Sequence, residues 1–350
     1  WSEVNCLGKQ ISDLGNQSQW FQNQINSKLL RVREQAFIEI DNFKTFDKLK
    51  IDGLKRVNLI SGKNNLGKTA VLEAIRLNVS SINPQSLVYS VKDTLNKRNN
   101  NVEFDFFKDK AKKISFITDI RNIGMEFDKK LTPQILDLTI DKSIHKIKIG
   151  DFFQGGILIN QYTLDKTNFI ATKSIDINYL SNIYTNIFNL GKDEILDNYL
   201  KNFDDNIKSV RLINSVSNIP TFKVKLNNKV EPVLLNSLGD GINRFMAIIC
   251  AIWSSKDGFL FIDEVENGIH YTNLEKLWKI IFEVSEDANC QVFATTHSKE
   301  CIEAFNRENE EDNGTFIELY KNKKDEIVAK TRDFEQLDYS LTHGGSFRGE

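Results

Sequence analysis

Gly62, Lys63, Asn64, Asn65, Leu66, Gly67, Lys68 and Thr69 (GKNNLGKT) satisfy G-x-x-x-x-G-K-[ST] at every fixed position. Residues of these types in this order bind a polyphosphate. The glycines let the backbone wrap phosphate oxygens, so that its N–H groups and the start of the following helix face the negative charge. Lys68 would reach the β and γ phosphates, and Thr69 would ligate Mg²⁺. The flanks fit: an apolar run, RVNLIS, precedes the loop and a helix-like AVLEAI follows it. Far downstream, FLFIDE places Asp263 and Glu264 behind four apolar residues, Phe259 to Ile262, as expected of a buried strand that ends at a phosphate site. Two adjacent carboxylates there are costly without a cation. That assigns Asp263 to Mg²⁺ and Glu264 to orienting or deprotonating the attacking water. The two strings together point to nucleotide hydrolysis.

Holding these groups requires a sheet. QAFIEIDNF, KLKIDGL and RVNLIS read as three short strands with tight connections, and a helix runs from Lys68 to about Val79. From about Ser80 to Val233 the character is mixed, with strand-like KISFITDI, LDLTID, HKIKI and ILIN, then helical segments around Tyr179 to Asn202. This stretch is too long for a simple crossover, so it is expected to complete the sheet and to carry an inserted subdomain. After TFKVKL and VEPVLL, SLGDGINRFMAIICAIW opens an apolar helix. GFLFIDE, a helix with Leu274, Leu277, Trp278 and Ile281 on one face, QVFATTHS, the helix SKECIEAFN and the acidic loop NRENEEDNG follow. Two closing strands, TFIELYK and EIVAKTR, and a last helix, DFEQLDYSL, finish the pattern. Strands alternating with helices predict an α/β fold with a largely parallel, covered sheet.

The 350 residues suit about two domains, or one α/β domain with an insertion, and 40% hydrophobic content supplies a core. With 46 basic and 48 acidic residues the chain is no polycation, so nucleic-acid contact would have to be local. The Lys-rich KDKAKK and DKSIHKIK are the candidates, and both also read as solvated faces. Cys6, Cys250, Cys290 and Cys301 show no C-x-x-C spacing and read as reduced thiols, not a disulfide framework or zinc site. The lack of a long apolar run or signal-peptide pattern leads to the expectation of a cytoplasmic protein with no membrane partner. Residues 1–34, rich in Asn, Gln and Ser, carry Val4, Leu7, Ile11, Leu14, Phe21 and Ile25 as a helical stripe weakened by Gly8 and Gly15. They are expected to form an amphipathic or tag-like extension, with a coiled-coil or docking role as the alternative. The first residue is Trp1, so nothing marks it as the native start.

SLGDG resembles the signature loop of ABC-type ATPases, in which Ser237, Gly239 and Gly241 would face the γ-phosphate held by the other subunit; the same string also makes an ordinary N-cap. His297, in TTHS, matches the switch histidine of such proteins. Asn267, Gly268 and His270 stand where ABC-type heads place a loop against the opposite subunit, although a simple glycine turn explains Gly268 equally. NF-x-x-F before the loop, SLGDGINRF, FIDEVENGIHY, Trp278 and QVFATTHSKECIEAF together resemble stand-alone ATP-binding proteins related to the overcoming-lysogenization-defect (OLD) family, over roughly residues 35–345. These are cousins of the chromosome-maintenance and recombination-repair ATPases.

The resemblance implies a P-loop NTPase of ABC-ATPase-head type with an inserted α+β subdomain: N-lobe 35–80, inserted and lateral region 81–233, C-lobe 234–345. It implies ATP and Mg²⁺ as cofactors, a homodimer or higher oligomer closed head to tail on ATP, and a role in DNA transactions, often in defence against phage. OLD nucleases also carry a TOPRIM domain with an Asp-x-Asp set. No such set follows His297, so a nuclease would be a separate polypeptide. Gln161, in ILINQYTLD, is the candidate for the glutamine that completes the Mg²⁺ shell in ABC-type heads. NKKD, Asn322 to Asp325, lies between closing strands and not in a guanine-reading context, so ATP is taken from the resemblance. The expectation is an ATPase whose ATP-bound dimer controls a separate effector, a nuclease or toxin, in anti-phage defence. A short-armed DNA-repair ATPase that binds DNA directly is the alternative, since no sustained heptads provide a long arm. A transporter ATP-binding subunit ranks last, because NFKTF and the long insertion point to the DNA-linked branch.

Overall fold

A computed structural model describes residues 34–97, 111–127, 135–148, 166–172, 175–214, 219–309 and 312–343. They lie within one unit, Glu34–Glu350. The stripe in residues 1–33, the first half of KDKAKK, ILIN and Gln161 fall outside the described residues.

Strands β1 (Phe37–Phe43), β2 (Phe46–Asp52) and β3 (Val57–Gly62) open the fold as the apolar runs predict. All six residues of β3 are buried, whereas β1 and β2 keep outward-facing residues between buried ones. β3 therefore belongs inside a sheet covered on both faces. It feeds helix α1 (Lys68–Ser80), buried along almost its whole length. Helix α2 (Pro84–Lys97) starts where Asn83 Oδ1 accepts from the Ser86 N–H at 2.9 Å, with Pro84 in the first turn. Next come β4 (Lys113–Thr118), β5 (Asn122–Phe127), β6 (Ile135–Ile140), β7 (Ser143–Lys148) and β8 (Thr167–Ile170).

The helical stretch near 179–202 is two helices, α3 (Ile177–Asn189) and α4 (Asp193–Phe203), separated by a turn through Gly191. Asp176 caps α3 by accepting from the Asn178 and Tyr179 N–H groups. Strands β9 (Ile207–Asn214), β10 (Pro220–Leu226) and β11 (Val233–Leu234) lead through a 3₁₀ turn, Leu235–Leu238, into α5 (Asp240–Ser254). The C-terminal part alternates as predicted: β12 (Phe259–Ile262), α6 (Leu274–Asp287), β13 (Gln291–Thr295), α7 (Lys299–Glu308), β14 (Gly314–Lys321), β15 (Ile327–Arg332) and α8 (Phe334–Thr342).

These strands form three sheets, the largely parallel one expected and two antiparallel ones. One has the order β15-β14-β3-β13-β12-β8 and is parallel apart from the β14–β15 pair. The second, β2-β1-β4-β5-β6-β7, is antiparallel throughout. The third, β11-β10-β9, is a small antiparallel sheet. Short connections such as β1–β2, β4–β5 and β6–β7 cannot make the crossover that parallel strands need, so these pairs are antiparallel. Among the described residues of the long middle region, β8 alone joins the parallel sheet; β4 to β7 extend the sheet that β1 and β2 begin.

Helix α5 is the core of the parallel sheet's α3 and α6 side: Phe245 to Ile252 are buried without a break. Behind it, Trp278 Nε1 of α6 donates to the Cys301 carbonyl of α7 at 3.1 Å. Phe261 and Phe293 stack on neighbouring strands with centroids 5.5 Å apart. Truncating one such ring to alanine costs about 3–5 kcal/mol, enough to loosen the strand ends that carry the site. Cys250, Cys290 and Cys301 are free and buried, and burial pushes each thiol pKa up. No described helix is long and apolar enough to cross a membrane.

Candidate functional site

The phosphate loop leaves β3 at Gly62, whose φ is 147°; a Cβ there would stand 2.5 Å from the Leu319 carbonyl oxygen of β14. Only glycine lets the two strands approach so closely. The loop then turns through Asn65, at φ 63°, and enters α1 with Lys68. Lys68 is 6% exposed, and its ammonium donates to the carbonyls of Gly62 at 2.7 Å and Lys63 at 2.9 Å. Burial lowers its pKa, while the carboxylates of Asp263, Glu264 and Glu266 oppose that shift. The charge thus sits against the carbonyls that open the loop.

The parallel sheet delivers the acidic pair to the same place, because β3, β12 and β13 all end on one side. Three threonine hydroxyls fix Asp263: Thr69 Oγ1 lies 3.1 Å from both carboxylate oxygens, Thr295 Oγ1 donates to Oδ1 at 2.6 Å, and Thr172 Oγ1 donates to Oδ2 at 3.2 Å. Thr295 Oγ1 also accepts the Glu264 N–H at 2.8 Å. Glu264 turns off the strand at φ 49°, and its Oε1 comes within 3.4 Å of His297 Nε2. Both line a cleft of about 1620 Å³ with Asn64, Asn65, Lys68 and Thr69. The β1–β2 turn and the β14–β15 hairpin supply its other walls, and Lys44 of that turn pairs with Glu73 of α1.

Thr69 and Asp263 fit Mg²⁺. They present a hydroxyl and a carboxylate side by side, hard oxygen donors of the kind that hold this ion when phosphate oxygens and water complete the shell. Among the described residues there is no cluster of three or more His, Cys, Asp or Glu side chains able to hold a metal without a substrate.

The signature string lies elsewhere. Ser237 is exposed, and its hydroxyl donates to the Leu234 carbonyl at 2.6 Å; Gly239 is exposed at φ 94°. A Cβ on Gly241 would stand 2.8 Å from the Gly268 carbonyl oxygen, so the start of α5 lies directly on the turn that follows Glu264. None of the three lines the phosphate-loop cleft. Asn267 folds back to donate to the Thr172 carbonyl at 2.7 Å, and His270 Nδ1 lies 2.9 Å from Thr272 Oγ1.

Four contributors were given no role from the sequence: Thr172, and Thr295, Arg244 and Glu266, which stand within TTHS, SLGDGINRF and FIDEVENGIHY. Arg244, 4% exposed, donates to the carbonyls of Ala171, Asp263 and Glu264, and Glu266 Oε1 accepts the His297 N–H at 2.8 Å. What each does becomes visible only once the strands are side by side.

Residues 57–303 match the family described as "AAA domain, putative AbiEii toxin, Type IV TA system", a span from β3 into α7 that encloses the phosphate loop, the acidic strand and His297. The chain belongs to this AAA-domain family. An "ATP/GTP phosphatase" of Helicobacter pylori (strain ATCC 700392 / 26695) is 26% identical over 363 residues, which is 86% of this chain and 96% of that protein. Among solved structures, an SMC head bound to the C-winged helix domain of ScpA superposes with a TM-score of 0.57 at 12% identity, covering 87% of this chain and 99% of that one. The SMC head domain from Thermotoga maritima gives a TM-score of 0.51 at 14% identity, covering 86% and 99%. The fold of the AAA-domain protein is thus that of a P-loop NTPase head of the ABC and SMC type. With the family's domain and an intact phosphate loop and acidic strand, it is an ATP-binding hydrolase, an ATPase.

Proposed function

We propose that this ATPase is a nucleotide-timed switch: two heads close on ATP, and the closed dimer controls a separate effector, a nuclease or toxin, in a bacterial cytoplasm under phage attack. The observation that carries the reading is the division of the site. Phosphate-loop residues, Glu264 and His297 line one cleft, with Asp263 joined to it through Thr69, whereas Ser237, Gly239 and Gly241 mark a helix start that lines none of it. A helix start of this kind attracts phosphate. On a single chain it has none to meet; a second head would bring one.

Within one cleft the roles follow from position. The loop N–H groups and Lys68 bind the β and γ phosphates of ATP. Thr69 and Asp263 hold Mg²⁺, which when bound neutralises charge on the phosphate oxygens. Glu264 accepts the proton of the attacking water, and His297, 3.4 Å from its carboxylate, orients the water and reports on the γ-phosphate. A base at this position contributes about 10²–10⁴-fold to the rate. Control by such a switch is a difference in effector affinity between open and closed heads.

An SMC head carrying a ScpA domain supports a protein partner, and the family description, which names a toxin–antitoxin system, supports a setting of that kind. ENGIHY and TTHS support the narrower kinship with OLD-related proteins. The test is the mass of Glu264→Gln in solution by light scattering, with and without ATP and Mg²⁺. Doubling with ATP that Ser237→Ala shifts to higher protein concentration is the expected result. An unchanged mass in protein shown to hold ATP would sink the switch.

A further inference from the structure

Glu264 and His297 each leave 35% of their side-chain surface exposed, yet their backbones are gripped from below by two charges. Arg244 sits one turn into α5. Its Nη2 donates to the carbonyls of Asp263 at 2.6 Å and Glu264 at 2.8 Å, and its Nη1 to that of Ala171 at 2.9 Å. Those carbonyls close the ends of β12 and β8, so a single guanidinium ties two neighbouring strands where the acidic pair begins. Glu264 needs such a hold, because φ 49° is a conformation that a β-carbon disfavours and that the surroundings must impose.

Glu266 does the corresponding work for His297, through the His297 N–H. The remaining atoms of both groups, Arg244 Nε and Glu266 Oε2, are buried without a hydrogen-bond partner. Burial lowers the Arg244 pKa, and Glu266 is the first of three carboxylates that oppose the shift. The field of Glu266 favours the Arg244 charge, and each side chain is held by the backbone groups it satisfies. Buried charged groups left partly unsatisfied are costly.

The geometry points to Arg244 and Glu266 as a positioning pair for hydrolysis: Arg244 sets Glu264 and Glu266 sets His297, both through the main chain. The inference rests on the roles given above to Glu264 and His297. It adds a route from the signature string to the chemistry. Arg244 is rooted in the helix that starts at Ser237–Gly241, and Gly241 touches Gly268, so a push on that helix start by a second head reaches Glu264 at both ends of its turn.

The experiment uses the full chain and four variants, Arg244→Lys, Glu266→Gln, Glu266→Ala and Glu264→Gln, measuring kcat, KM for ATP and the thermal midpoint. Lysine keeps the charge but loses the fork that reaches three carbonyls. Arg244→Lys is expected to lower kcat by about 10²-fold with KM unchanged, the effect of a small misplacement at a reacting group. It should cost nothing further when combined with Glu264→Gln. Glu266→Gln keeps an acceptor for the His297 N–H and should retain turnover that Glu266→Ala loses. Wild-type kcat in Arg244→Lys, beside a dead Glu264→Gln, overturns the pair alone. So does a loss that is additive with Glu264→Gln or that tracks the thermal midpoint, since that is a structural role. Wild-type turnover in Glu264→Gln overturns the reading of Glu264 and the pair with it.

Discussion

The phosphate loop and the start of α5 are two versions of one device, glycines ahead of a helix whose first N–H groups attract an anion, and they are finished in opposite ways. At the loop, Lys68 is buried against two carbonyls, and three hydroxyls hold Asp263 beside it. At the α5 start, Ser237 spends its hydroxyl proton on its own turn, Gly239 is exposed, and no cation stands in the turn. The first is a complete binding site within one chain. The second has the backbone of a site and none of its counter-groups. Chemistry finished on one side and left open on the other is what an assembly controlled by substrate requires.

The largest effect that separates the two regions is expected from Lys68→Ala. Losing the buried cation should cut phosphate release by about 10³-fold and weaken ATP binding together; turnover that survives would remove the loop from the chemistry. Glu264→Gln should cost about 10²–10⁴-fold in kcat while a fluorescent ATP analogue still binds, so that binding and chemistry part within one cleft. Ser237→Ala should leave nucleotide affinity of the isolated head untouched. Its effect belongs to the paired state: a lost hydrogen bond to a charged group, about 1.5–3 kcal/mol, read as a rise in the protein concentration needed for ATP-dependent doubling. A fall in affinity at the lowest concentrations would mean that the two regions meet within one chain. The smallest effect is expected behind both, where Trp278→Phe removes the hydrogen bond to Cys301 and should lower stability by about 1 kcal/mol in urea unfolding without altering KM.

The same contrast governs what could be read from the sequence. GKNNLGKT and FLFIDE are legible because their chemistry is local: the backbone that wraps phosphate is the string itself, and four apolar residues before two acids can only be a strand end. β3, β12, β13 and the helices after them follow from their burial patterns. α2 was legible in principle, since Asn83-Pro84 followed by Ser86 is a helix start, but the mixed text around it hid the signal. The antiparallel sheet was not legible, because the pairing of β1 with β4 depends on long-range partners that no spacing encodes. Arg244 and Glu266 belong to that second kind. Both stand inside strings that mark the family resemblance, but the work each does shows only when β8, β12 and β13 lie side by side and bring their carbonyls and N–H groups to one point.

The position of β3 has a consequence for how the protein is made. Its neighbours in the sheet are β13 and β14, and Asn58 Nδ2 donates to the Val292 carbonyl across 234 residues of chain. At ribosomal speed that interval takes roughly 10–50 s. Throughout it the nascent chain holds an apolar strand with both edges bare, and a nucleotide-binding loop with no wall at Leu319 to close against. Synthesis order therefore delays activity until nearly the last strand emerges, and makes the unfinished chain a natural client for chaperones. The phosphate loop cannot do its work while its sheet is still being built.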